Sequence, residues 1–152
     1  MSIKSLLKKQ GGFTLLELLI VIVIIGILAL LIIPNITSAP KKARDTKRKT
    51  DLTTVRKGLE EYFVNNNSYP AALSDLQTGS APIIAQIPTD PKNGSPAQYS
   101  YLYTPSGSPA TTYTLGGCLE NDQDQGANTA AANATGAPSG CTTRSFILVN
   151  GN

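Results

Sequence analysis

Gly12-Phe13-Thr14-Leu15-Leu16-Glu17-Leu18-Leu19-Ile20-Val21-Ile22 opens an apolar run that continues to Ile36. Between Phe13 and Ile36 only Thr14, Glu17, Gly26, Pro34 and Asn35 depart from it. As a helix rising about 1.5 Å per residue the run is roughly 36 Å long, enough to cross a hydrocarbon core of about 30 Å. Ahead of it, Met1 to Gln10 carries Lys4, Lys8 and Lys9. A secretory signal peptide would have an apolar region of about 7–15 residues and no acid within it. Its small-residue site would be Thr37-Ser38-Ala39, where Pro40 disfavours cutting. A plain single-pass anchor and a buried core helix are the other readings, and the remaining chain is too small to surround the latter. Glu17 fits none of the three, because a carboxylate near the edge of a membrane helix is costly and needs a partner or a purpose.

Charge and composition narrow the classes. The formal charge of +3 contains the three lysines ahead of Gly12, and without them basic residues only match the ten acidic ones. A global basic field suited to nucleic acid is therefore not expected. Histidine is absent, which removes the commonest general base and transition-metal ligand. With no nucleophile, base and oxyanion loop in view, an enzyme is not expected. Cys118 and Cys141 lack CxxC spacing, so a zinc or redox motif is disfavoured, and in an exported domain the pair reads as one disulfide.

A short basic leader, the Gly12-Phe13 junction, a glutamate four residues after the phenylalanine and a long apolar run occur together. In this combination the sequence resembles the type IV prepilins and the related pseudopilins of type II secretion. The resemblance implies a leader (1–12) removed by a prepilin peptidase between Gly12 and Phe13, with the new Phe13 amine N-methylated. Glycine lets a protease approach the backbone closely. With Phe13 and Glu17 at i and i+4 on one helical face, the Glu17 carboxylate of one subunit would meet the Phe13 amine of its neighbour. That pairing would neutralise two charges costly in hydrocarbon and set the axial register between subunits. Gly26 lowers helix propensity and Pro34 removes a backbone donor. They are expected either to bracket a stretch that opens in the filament or to mark an ordinary proline kink.

Residues 13–36 are thus expected as a membrane-spanning and filament-core helix, and 37–64 as its amphipathic continuation. In the latter, Leu52, Val55, Leu59, Tyr62 and Phe63 recur at three- and four-residue spacings, a stripe that can pack on a sheet. Lys41, Lys42, Arg44, Lys47, Arg48 and Lys49 crowd its start, with Asp45 and Asp51 among them. Positive residues beside a membrane helix favour the cytoplasm, against the export that the junction implies. A solvated or inter-subunit face is favoured for this run, with nucleic-acid binding as the other reading.

Residues 65–152 are expected to form a small head. Asn65-Asn66-Asn67 ends the helix, and prolines at 82, 88, 91 and 96 make the next stretch mostly loop, with one helical turn near Leu73 to Leu76. Alternation at Tyr99, Tyr101 and Tyr103, at Tyr113 and Leu115, and at Phe146 and Leu148 gives three strands, the first two separated by a turn at Thr104 to Pro109. The fold class expected is α+β: a long N-terminal helix packed on a small antiparallel sheet. Asp90-Pro91-Lys92-Asn93-Gly94 resembles the head pattern of the major pseudopilin, although Lys92 stands where an aromatic is usual; turn chemistry is the favoured reading.

Leu119 to Gly140 is poor in large apolar residues and reads as an exposed loop closed by Cys118 and Cys141. Such a bridged loop resembles that of many pilins, whereas major pseudopilins usually lack the bridge. Asp122 and Asp124, after Glu120, have the spacing of part of a calcium loop, and the resemblance to major pseudopilins implies calcium in a nearby region. A simple acidic loop is favoured, no other cofactor is expected, and Asn133-Ala134-Thr135 fits a glycosylation sequon. The resemblance implies self-association, a prepilin peptidase, assembly machinery of the inner membrane and, before assembly, membrane lipid as partners. The leading functional expectation is an extracellular pilus subunit; a major-type pseudopilin in a periplasmic filament is the alternative, and a membrane-tethered DNA-binding protein a distant third.

Overall fold

The computed structural model describes residues 12–79, 81–92, 95–131 and 134–150, with backbone alone for 31–37. The chain divides into two units, one ending at Thr37 and one beginning at Ser38. Helix α1 (Leu15–Asn66) contributes to both and includes Gly26, Pro34 and Pro40 without interruption.

In the first unit every large apolar side chain from Phe13 to Leu30 is exposed. Such a surface is stable only against lipid or other helices. Among the described residues no helix is long and apolar enough to cross a membrane. The part of the run with described side chains, Leu15 to Leu30, would span only roughly 24 Å as helix. The residues expected to complete it lie outside the described side chains, as does Pro34.

The second unit is the head. The helix ends as asparagines allow: Asn67 takes a left-handed conformation (φ 54°) and donates its N–H to the Phe63 carbonyl at 2.8 Å. A 3₁₀ turn follows (Leu73–Gln77). Strands β1 (Leu102–Gly107), β2 (Ala110–Cys118), β3 (Thr129–Ala130) and β4 (Ser145–Asn150) form an antiparallel sheet in the order β1-β2-β4-β3. The expected helical stripe does meet it. Leu52, Val55 and Leu59 are fully buried with Tyr113, Leu115, Phe146 and Leu148, while Tyr62 and Phe63 pack at the margin.

Three expectations change. Tyr99 and Tyr101 lie before β1, because their side chains are drawn to α1: Tyr101 donates to Asp51 at 2.9 Å and the Tyr99 ring lies under Arg48. The expected turn at Thr104 to Pro109 shrinks to Ser108-Pro109, since β1 runs through Pro105, which an edge strand tolerates. The region from Leu119 is not simply an exposed loop. Leu119 is fully buried and donates its N–H to the Arg144 carbonyl at 2.7 Å, and β3 pairs with β4.

Cys118 and Cys141 are bonded and buried. A bridge of this separation limits the unfolded chain and contributes about 3 kcal/mol in the loop-entropy account. The Cys118→Ser/Cys141→Ser variant should therefore lose about 3 kcal/mol in denaturant unfolding, measured against the oxidised chain. An unchanged midpoint would place the stability elsewhere.

Candidate functional site

Two places concentrate chemistry. The first is the start of α1. Gly12, Phe13 and Thr14 precede the helix, and Phe13 is 87 % exposed. Thr14 is the helix cap: its hydroxyl accepts the Glu17 N–H at 3.1 Å, while Glu17 Oε2 accepts the Thr14 N–H and hydroxyl, each at 2.8 Å. This reciprocal capping box fixes the helix start. It corrects the reading of Phe13 and Glu17 as one helical face, because the cap leaves Phe13 outside the helix. It also turns the carboxylate back toward the Gly12-Phe13 junction, using one of its two oxygens. The leader residues 1–11 lie outside the described residues.

The second place was not foreseen. Arg48, from the run expected to be a solvated face, is fully buried. Its guanidinium donates to Asp90 (2.6 and 3.0 Å), Asp45 (2.7 Å) and Glu120 (2.8 Å). Arg44 forks onto Glu120 with two bonds of 2.7 Å, and Lys92 reaches the same carboxylate at 3.1 Å. Asp45 accepts the N–H groups of Glu120 and Asn121, each at 2.8 Å. Asp90 also accepts the Lys92 N–H at 2.7 Å, the turn that Asp-Pro suggests. The Tyr99 ring lies 4.7 Å from the Arg48 carbon and 4.3 Å from the Lys92 ammonium.

The electrostatics follow the geometry. Hydrogen bonds from Arg44, and then from Arg48 and Lys92, overcome burial and hold the Glu120 carboxyl down at about 2. Burial works against the Arg48 charge, but its bonds to Asp90, Glu120 and Asp45 outweigh it and raise its pKa. The network ties α1 to the segments after Pro88 and after β2, a staple between parts of the chain 42 to 76 residues apart. Sequence alone offered only Asp45 and Arg48 at i and i+3.

The residues considered for calcium do not gather round a cation. Asp124 pairs with Lys49 at 2.6 Å and accepts the Gly126 N–H at 3.0 Å, and the Lys49 bond lowers its pKa. Asp122 is exposed, and Glu120 is held by three cationic side chains. Among the described residues no cluster of three or more acids, cysteines or histidines could hold a metal. Asp122 and Asp124 as placed do not form a calcium site, so Asp122→Asn/Asp124→Asn should leave the response of the unfolding temperature to calcium unchanged. A calcium-dependent rise that is lost in this variant would contradict the pairing. Asn93 and Gly94 of the turn and Asn133 of the sequon lie outside the described residues.

Residues 7–33 match the prokaryotic N-terminal methylation motif. The chain is 33 % identical over 138 residues to the type II secretion system core protein G of Pseudomonas aeruginosa, covering 78 % of this chain and 95 % of that protein. It is 36 % identical over 93 residues to the protein of the same name from Vibrio cholerae, covering 61 % and 58 % of the two chains. With that of Escherichia coli K12 it shares 39 % over 83 residues, 55 % and 54 % of the chains. No solved structure matches. The bridged loop pointed toward pili, but these relatives carry the other name, and the alternative gains over the leading expectation. By its methylation motif, its helix-on-sheet architecture and its likeness along nearly the whole Pseudomonas protein, the chain belongs to the type II secretion system core protein G family.

Proposed function

We propose that the chain is a structural, non-enzymatic subunit of a type II secretion pseudopilus. It is inserted in the inner membrane through residues 13–36 as a prepilin. A prepilin peptidase cuts it between Gly12 and Phe13 and methylates Phe13. The product polymerises through α1 into a periplasmic filament, each Glu17 meeting a neighbour's Phe13 amine, and Gly26 to Pro34 opens as subunits pack. The observation that carries this reading is the 95 % coverage of the Pseudomonas core protein G at 33 % identity. The exposed apolar surface from Phe13 to Leu30 supports it, since such a surface needs lipid or sister helices.

The extracellular pilus remains a second reading because of the bonded Cys118 and Cys141. Deleting the gene separates the two. Loss of exported enzymes from the medium, with surface pili intact, is expected; loss of pili with secretion intact would assign the filament to the surface.

A further inference from the structure

The basic run of α1 divides into two populations. Arg44, Arg48 and Lys49 are engaged by Glu120, Asp90, Asp45 and Asp124. Lys41, Lys42 and Lys47 are exposed and, among the described residues, make no ion pair with the head. Asp90, Glu120 and Asp124 are thus taken, exposed Asp122 makes no ion pair among the described residues, and three cations remain. Lys41 and Lys42 follow Ile36, the last residue of the apolar run, by five and six residues of α1, roughly 8–9 Å at helical rise. Beyond its hydrocarbon core a bilayer has a polar layer of roughly 5–8 Å on each side, within reach of a lysine that snorkels along its stem.

We propose that Lys41 and Lys42 form a collar for the phosphate groups of anionic phospholipids around the emerging helix, with Lys47, a further turn and a half along α1, adding only to the field around it. Successive helical positions are turned about 100° apart, so Lys41 and Lys42 point in different directions. That spread suits several headgroups surrounding a helix better than one compact ligand. Lysine also suits the task, being a flexible point charge where arginine would impose a planar fork. The collar accounts for a basic flank at odds with the expected topology: these charges hold the subunit at the surface it emerges from. They would have to be released when a subunit leaves the membrane for the filament.

This inference rests on the proposed membrane insertion, and the two are separable. The full chain carrying Lys4→Gln, Lys8→Gln and Lys9→Gln, the wild-type background here because the leader lysines would recruit the same lipid, is first floated with vesicles of phosphatidylcholine alone; failure to float would overturn the insertion reading itself. It is then reconstituted in bilayer discs of equal phosphatidylcholine and phosphatidylglycerol, extracted mildly, and its retained lipid measured by mass spectrometry. Each basic residue near a charged surface favours anionic lipid by roughly five-fold, so phosphatidylglycerol should be enriched at least tenfold in the wild type. Lys41→Gln/Lys42→Gln/Lys47→Gln should return the ratio to that of the disc while still floating. Arg56→Gln/Lys57→Gln, two exposed cations further along α1, should keep the enrichment. No wild-type enrichment, enrichment surviving the triple change, or equal loss in the Arg56/Lys57 control would overturn the collar. So would capture of duplex DNA by the wild type in preference to anionic vesicles, lost in the same triple variant.

Discussion

Arg48→Met should destabilise the head by about 3–5 kcal/mol and lower its unfolding temperature by roughly 10–20 °C, measured by calorimetry on the oxidised chain. The side chain is fully buried, and its guanidinium makes four hydrogen bonds to three carboxylates that are themselves buried. Methionine fills much of the volume, so the loss is electrostatic: Asp45, Asp90 and part of Glu120 are left without their cation. Arg48→Lys keeps a charge but cannot span Asp90 and Glu120 with one planar fork, and should fall between the two.

The pH dependence gives a second readout. Glu120 is held at about 2, below its ordinary value of 4.5. Its contribution is complete above that ordinary value and is lost as pH falls from 4.5 toward 2. In Arg48→Met Glu120 loses one of the bonds that hold its carboxyl down and so loses less on acidification than in wild type; the deficit should shrink as pH falls from 4.5 toward 2. A deficit that is small, or constant with pH, would mean that the network contributes little.

Glu17 is the second position where one side chain should decide an outcome. Glu17→Val should still be cut after Gly12 yet give almost no filament, seen as subunits that stay with the membrane fraction. Two roles meet in this carboxylate: it caps the Thr14 N–H within its own chain, and it is proposed to meet a neighbour's Phe13 amine. Glu17→Gln separates them. Glutamine can complete a capping box, but it cannot neutralise an amine in a low-dielectric environment. Glu17→Gln should therefore keep the helix start and still fail to assemble. Assembly at the wild-type level would reduce Glu17 to a local cap and remove the proposed register device.

How much was legible in the sequence depended on the range of the interaction. The stripe Leu52, Val55 and Leu59 was readable because helical periodicity is local, and Asn67 because a left-handed cap has its own residue chemistry. The Cys118–Cys141 bond followed from there being one pair in a chain expected to be exported. Arg48 was misread as part of a solvated face because its partners Asp90 and Glu120 lie 42 and 72 residues away. Its one local partner, Asp45 at i−3, does not mark it apart, because Lys49 stands at i+4 from the same acid. The same network explains the missed burial of Leu119, since Asp45 holds the backbone of the next two residues. Phe13 was placed within the helix by spacing alone; the cap that excludes it is formed by Thr14, whose side chain carries that information only together with Glu17.

The central claim is that this chain is a prepilin whose filament-forming end is made by a cut. The intact mass of the subunit from assembled filaments tests it most directly. The predicted product begins at Phe13 and carries one added methyl on its amine. A filament subunit that begins at Met1, or at any residue other than Phe13, would contradict the account.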